Sequence, residues 1–102
     1  MTGYPQDVVV QKGDVAEFIC ETDEDEFINW NYVTIANLTI VRISTGGVVI
    51  KGLESKYVST RYKASNVLTL QNVSMLDAGT YKCIDYAGMG QAASAELIVL
   101  GM

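Results

Sequence analysis

The sequence Asp-Ala-Gly-Thr-Tyr-Lys-Cys at residues 77–83 decides the fold of this chain. Tyr81 and Cys83 are two positions apart, so in a β-strand they point to one face of the sheet, while Lys82 and Ile84 point to the other. Aspartate and glycine precede this alternation, as they commonly do where a turn leads into a strand. The stretch therefore predicts a strand over residues 80–86 with one face toward a core.

The rest of the chain repeats this pattern of short strands and turns. Turn-forming residues recur at intervals of roughly 8–12 residues, which is typical of an all-β sandwich or barrel. The predicted strands are 6–11, 15–21, 27–33, 38–43, 48–51, 57–63, 66–73, 80–86 and 92–100. We expect one domain over residues 1–102, with 1–4 and 101–102 as linker or added ends.

Cys20 lies on the inward face of its predicted strand, as Cys83 does. The pair is compatible with a disulfide or with two buried free thiols, as in intracellular relatives of such folds. Closing so long a loop is worth about 4 kcal/mol in the entropic model. Two sequons, Asn37-Leu38-Thr39 and Asn72-Val73-Ser74, favour the disulfide because glycosylation and disulfides both belong outside the cell.

The combined pattern of Cys20, Trp30 and Asp-x-Gly-x-Tyr-x-Cys at 77–83 resembles the immunoglobulin domain over nearly the whole chain. This resemblance implies an immunoglobulin-like, two-sheet Greek-key β-sandwich. It places Cys20 on strand B and Cys83 on strand F, bridging the sheets, with Trp30 of strand C packed on the bond.

The resemblance also assigns structural roles near the other end of the sandwich. Tyr81 matches the tyrosine corner, whose hydroxyl bonds to backbone a few residues upstream. Arg61 is expected to form a salt bridge with Asp77, although two solvated charges are the alternative. Leu70 is a core candidate together with Leu68 and Val73.

The subtype is open between the variable (V-set) and intermediate (I-set) types. The length between Trp30 and Arg61 leaves room for strands C′, C″ and D, as in a V-set domain. The segment after Cys83 resembles I-set adhesion modules instead. Pro5 fits the kink that lets the first strand change sheets.

Composition and charge exclude several classes of function. The 102 residues hold 7 basic and 12 acidic side chains, a net charge of −5, which opposes binding to nucleic acid or anionic membranes. The chain has no histidine and only 2 cysteines, so a histidine-dependent triad and a thiolate zinc site are not available. We expect no enzyme activity, no cofactor and no metal.

The acidic run Glu21-Thr22-Asp23-Glu24-Asp25-Glu26 falls in the B–C loop. A basic protein partner, calcium and a simple solvated loop are the three interpretations. Calcium needs six to eight oxygen ligands, more than this short loop supplies. A solvated loop is the simplest of the three interpretations, because it needs no partner and no ligand geometry.

The outward surface of strands C, C′, F and G is the predicted partner-binding face. Lys82, Ile84 and Tyr86 point outward from strand F, whereas residues 38–43 place apolar side chains on both faces in either register. Apolar and aromatic side chains with few charges resemble the core of an interface. The predicted partner-binding residues are Val33, Ile40, Val41, Ile43, Lys82, Ile84, Tyr86 and Met89.

These observations favour an extracellular binding module of an adhesion or immune-type receptor. Its expected partner is a protein, either a second copy or another immunoglobulin-type receptor, with the parent chain membrane-anchored or secreted. Asn37, near the face, and Asn72, away from it, are candidate glycosylation sites. The alternative is an intracellular structural module of a muscle or cytoskeletal array, in which both cysteines would be free thiols.

Overall fold

A computed structural model describes residues 1–23, 28–34, 38–85 and 90–101. Within them no helix is long and apolar enough to cross a bilayer. A short 3-10 helix spans Met75–Asp77. The strands are β1 Val8–Gln11, β2 Ala16–Glu21, β3 Asn29–Thr34, β4 Ile40–Thr45, β5 Val48–Val49, β6 Tyr57–Tyr62, β7 Ser65–Leu70, β8 Gly79–Ile84 and β9 Ala92–Leu100.

The strands form two sheets. In the described chain the larger sheet has the order β1-β9-β8-β3-β4-β5, and the smaller has the order β2-β7-β6. Among the strands that the structure describes, only the β1–β9 pair is parallel. In immunoglobulin lettering the first sheet is A′GFCC′C″ and the second is BED. Because both C′ and C″ extend the larger sheet, the strand arrangement is of the variable type.

Alternation along the strands fills the space between the sheets. Burial in β2 alternates residue by residue, with Ala16, Phe18 and Cys20 inward, as the sequence predicts. Leu68, Leu70 and Val73 are also buried, which confirms them as core residues. Cys20 of the smaller sheet is bonded to Cys83 of the larger one, so the predicted disulfide is confirmed.

Pro5 separates two pairings of the N-terminal segment. Before it, Gly3 forms a bridge with Glu21 of β2 in the smaller sheet. After it, Val8 pairs with Leu97 of β9 in the larger sheet. The first strand therefore changes sheets at Pro5, as the sequence predicts.

Replacing both Cys20 and Cys83 with alanine should lower the free energy of unfolding by about 2–5 kcal/mol, because the unfolded chain regains the entropy that the cross-link removed. Urea denaturation of the variant and the parent protein measures the difference. Intact mass after alkylation of native protein provides the control, since two reactive thiols in oxidised, folded material would contradict the bond.

Candidate protein-binding face and the lower end of the sandwich

The C–C′–F–G face consists of the outward side chains of β3, β4, β8 and β9. Antiparallel register aligns these side chains in rows across the sheet. One row runs through Arg42, Asn31, Lys82 and Ser94. The next row runs through Ile40, Val33, Thr80 and Glu96. The structure thus brings Val33, Ile40 and Lys82 together on one surface.

Residues of β8 and β9 give this face a mixed character. Lys82 and Ile84 are half-buried on the outward side of β8, as strand parity predicts. The Thr80 hydroxyl donates to Glu96 Oε1 over 2.7 Å, which holds that carboxylate on the sheet surface. The face therefore combines branched apolar side chains with separate cationic and anionic groups.

A β-bulge in β4 explains why this strand alternates poorly in sequence. Trp30 is opposite Ser44 but Asn31 is opposite Arg42, so Ile43 is the extra residue on the bulged strand. Ile43 is 0% exposed and belongs to the core. Its predicted place on the partner-binding face is therefore wrong.

The residues of β4 on the other side of the bulge remain accessible. Ile40 is 66% exposed and Val41 is 37% exposed. Both were predicted as partner-binding residues. Ile40 is opposite Val33 on the outward face, whereas Val41 is opposite the inward-facing Tyr32, so the predicted place of Val41 on the binding face is wrong. Arg42, the next residue of the strand, was not predicted, although its place in the row beside Asn31 follows once the bulge is known.

Asn29 lies on the outward parity of β3 but is buried, unlike the exposed position that parity alone predicts. Its side-chain Oδ1 accepts a hydrogen bond from the backbone N–H of Gly46 over 3.0 Å. The turn between β4 and β5 thus folds against the end of β3. Asn29 acts as a structural residue rather than as part of the binding surface.

Three predicted residues, Tyr86, Met89 and Asn37, lie outside the described residues. The second sequon residue, Asn72, is exposed and has a left-handed backbone, with φ of 49°. Its carbonyl accepts a hydrogen bond from Lys56 Nζ over 2.8 Å.

The acidic run is described only through Asp23. Thr22 is buried, and its hydroxyl accepts a hydrogen bond from Asn66 Nδ2 over 3.3 Å. The carbonyl of Asp23 accepts a hydrogen bond from Arg61 Nη2 over 3.1 Å. Across the described ranges no cluster of acidic or thiol side chains is grouped to hold a metal ion.

The predicted salt bridge between Arg61 and Asp77 is wrong. Lys56 Nζ lies 2.6 Å from Asp77 Oδ2 and occupies the place assigned to the arginine. Arg61 pairs with Asn66 near the far end of β6, whereas Lys56 immediately precedes that strand. An extended chain rises about 3.3 Å per residue, so the five-residue offset places the two cations at opposite ends of the sheet.

Near Asp77, at the lower end of the sandwich, lie Tyr32, Tyr57 and Tyr81. The Tyr81 hydroxyl donates to the carbonyl of Asp77 over 2.7 Å, which is the bond expected of a tyrosine corner. The ring of Tyr81 stacks on Tyr32 at 4.8 Å and on Phe18 at 5.0 Å between centroids. The Tyr32 hydroxyl lies 2.8 Å from the carbonyls of Leu76 and Ala78. These bonds attach the loop before β8 to the core.

Burial makes these phenols weak acids. Desolvation, with the negative charge of Asp77 as the next cause, raises the pKa of Tyr57 to about 12. Desolvation also raises the pKa of Tyr81, with the neighbouring Tyr57 and Asp77 as further causes. The folded state therefore favours the neutral phenols.

Alkaline unfolding should depend on this cluster. The folded pKa of Tyr57 lies above the ordinary value of 10.0, so its contribution to stability is complete below pH 10 and is lost as the pH rises toward about 12. Tyr57→Phe should flatten the fall in stability across that range in denaturant unfolding curves. Tyr62→Phe, at an exposed tyrosine of the same strand, is the control. Equal pH profiles for the two variants would contradict the assignment.

Comparison with known proteins agrees with this geometry. The structure is similar in fold to the crystal structure of the RIG-5 IG1 homodimer, with a TM-score of 0.81 and 21% sequence identity, over 98% of this chain and 94% of that one. A family model described as "Immunoglobulin domain" matches residues 6–84. The sandwich, the inter-sheet disulfide and this match together show that the chain belongs to the immunoglobulin domain family.

Proposed function

We propose that this domain is an extracellular module of a cell-surface adhesion or immune-type receptor that binds a protein partner through the C–C′–F–G face. Immunoglobulin domains are protein-interaction modules in general, and this one has no catalytic cluster in its sequence. The observation that carries the proposal is the apolar exposure along β4 and its neighbours. The exposed apolar residues there are Leu38, Ile40, Val41, Val48 and Ile50.

Such a concentration of exposed branched side chains needs a physical explanation. Single exposed apolar residues are ordinary, but contiguous patches on soluble domains commonly mark a contact. The bulge in β4 directs Ile43 into the core, and Ile40, opposite Val33, lies on the outward face. Half-buried Val33 and Ile84 extend the surface across β3 and β8.

The extracellular location is supported by the disulfide and the two sequons. A disulfide that closes a long loop is typical of oxidising compartments. The partner is a second copy or another immunoglobulin-type receptor, because a flat sheet face pairs well with a similar face. The homodimer described for the RIG-5 domain of similar fold is consistent with self-association.

Sedimentation velocity at several protein concentrations tests the face. We expect concentration-dependent dimers, and Ile40→Asp should abolish them because a two-fold contact places the charge in the interface twice. Val58→Asp, at a 36% exposed valine of β6 on the opposite sheet, is the matched control and should dimerise normally. Stability of both variants should stay within about 1 kcal/mol of the parent. Dimers that tolerate Ile40→Asp would contradict the assignment.

Glycosylation gives a second test. When the domain is secreted from mammalian cells, Asn72 should carry glycan without weakening association, because its exposed turn follows β7 of the other sheet. A glycan on Asn37 should weaken association. Intact mass with Asn72→Gln and Asn37→Gln identifies the occupied site. Association unchanged by an Asn37 glycan would count against the face and leave the fold untouched.

A further inference from the structure

We propose a second binding site on the other sheet, at the outer edge of β2, which takes an extended peptide segment with a basic residue between apolar ones. The segment adds to the sheet as a new antiparallel strand. This site is independent of the C–C′–F–G face and of the function proposed for it.

The backbone of β2 presents hydrogen-bonding groups along this edge. Glu21 and Gly3 exchange both of their backbone hydrogen bonds, at 2.9 and 3.1 Å, so the N–H and C=O of Glu21 point away from β7. Along an antiparallel strand these directions repeat every second residue, so the same groups of Ile19 and Glu17 point to the same edge. Among the described residues these groups of Ile19 and Glu17 have no hydrogen-bond partner.

The N-terminal segment does not cover that edge. It pairs with β2 only at Gly3, and after the buried Pro5 it crosses to β9 of the larger sheet. A groove of about 460 Å³ remains between the crossing segment and the edge of β2. Its lining residues are Gly3, Tyr4, Gln6, Val8, Glu17, Ile19 and Glu21. An unpaired edge beside an open groove is the geometry that β-strand addition requires.

The charged residues that line the groove favour a basic peptide. Both charged residues that line the groove are carboxylates, Glu17 and Glu21, and they flank Ile19, which is 48% exposed. In antiparallel addition the residue opposite Glu17 should be lysine or arginine, and the residue opposite Ile19 should be apolar. Val15, also exposed, favours a second apolar residue two positions further along the added strand.

A second copy of this chain gives the edge no cation, because the outward residues along β2 and directly before it are only Val15, Glu17, Ile19 and Glu21. Two-fold pairing centred on Ile19 would place Glu17 of one copy opposite Glu21 of the other, and pairing centred on Glu17 would place this carboxylate opposite itself. Pairing centred on Phe18 would place Glu17 opposite Ile19 and leave the carboxylate without a partner of opposite charge. Like charges directly opposite each other destabilise a strand pair, so the site favours a basic segment over self-association.

The test uses the peptide acetyl-Val-Thr-Lys-Thr-Val-amide, titrated into the isotope-labelled domain and followed by NMR. Addition to the edge should shift the amides of Ile19 and Glu17 and slow their hydrogen exchange. N-methylation of the lysine removes a donor that faces β2 and should weaken binding at least tenfold. N-methylation of both threonines, whose N–H groups face away from β2, is the matched control and should leave binding unchanged.

A charge-reversal variant provides a second test of the site. Glu17→Lys should lose the lysine peptide and gain the peptide in which glutamate replaces lysine, whereas Ile40→Asp should bind the lysine peptide as the parent does. No shift at Ile19 with peptide at about 10 mM would overturn the proposal. Equal weakening by both N-methylated peptides, or shifts confined to β4 and β8, would overturn it as well. None of these outcomes bears on dimerisation through the C–C′–F–G face.

Discussion

The bond between Cys20 and Cys83 is the constraint on which the rest of the sandwich depends. It joins the inner strand faces of two sheets that share no backbone ladder, and both sulfur atoms are fully buried. Trp30 pairs with Cys83 across the ladder, and Phe18, two residues before Cys20, packs its ring 6.5 Å from that tryptophan. Because these inward side chains form the core between the sheets, the outward side chains are available for other contacts.

The bulge in β4 determines which of its side chains lie on the proposed binding surface. Without the bulge, strict alternation from the buried Ser44 would place Ile43 on the outward face and Arg42 on the inward one. The bulge lets Ile43 fill the interior while Ile40 stays accessible on the outward face, and it brings Arg42 beside Asn31. Bulges recur where a strand must redirect a side chain, often beside functional sites, and they cannot be read from period-two alternation.

The sequence was informative where one face of a strand is fully buried, because a one-residue slip there would expose the whole apolar set. That is why the inward residues of β2 and the placement of Tyr81 were predictable. It was less informative at strand ends. Whether Lys56 or Arg61 meets Asp77 depends on the length and register of β6, which only tertiary contacts determine. Asn29 is buried by the fold of the following turn, a contact that its own strand does not encode.

Pro5 also determines which sheet edge stays unpaired. Pairing of the first residues with Glu21 begins a strand on the smaller sheet, and the proline ends it, since a residue without an N–H cannot continue a ladder. The next residues then close the edge of the larger sheet along β9. The N-terminal segment therefore pairs with the edges of both sheets, but it covers only the edge at β9 and leaves most of the β2 edge unpaired. The incomplete edge has carboxylates beside it, and charged side chains there oppose pairing with another copy while leaving the backbone groups available to a segment of opposite charge.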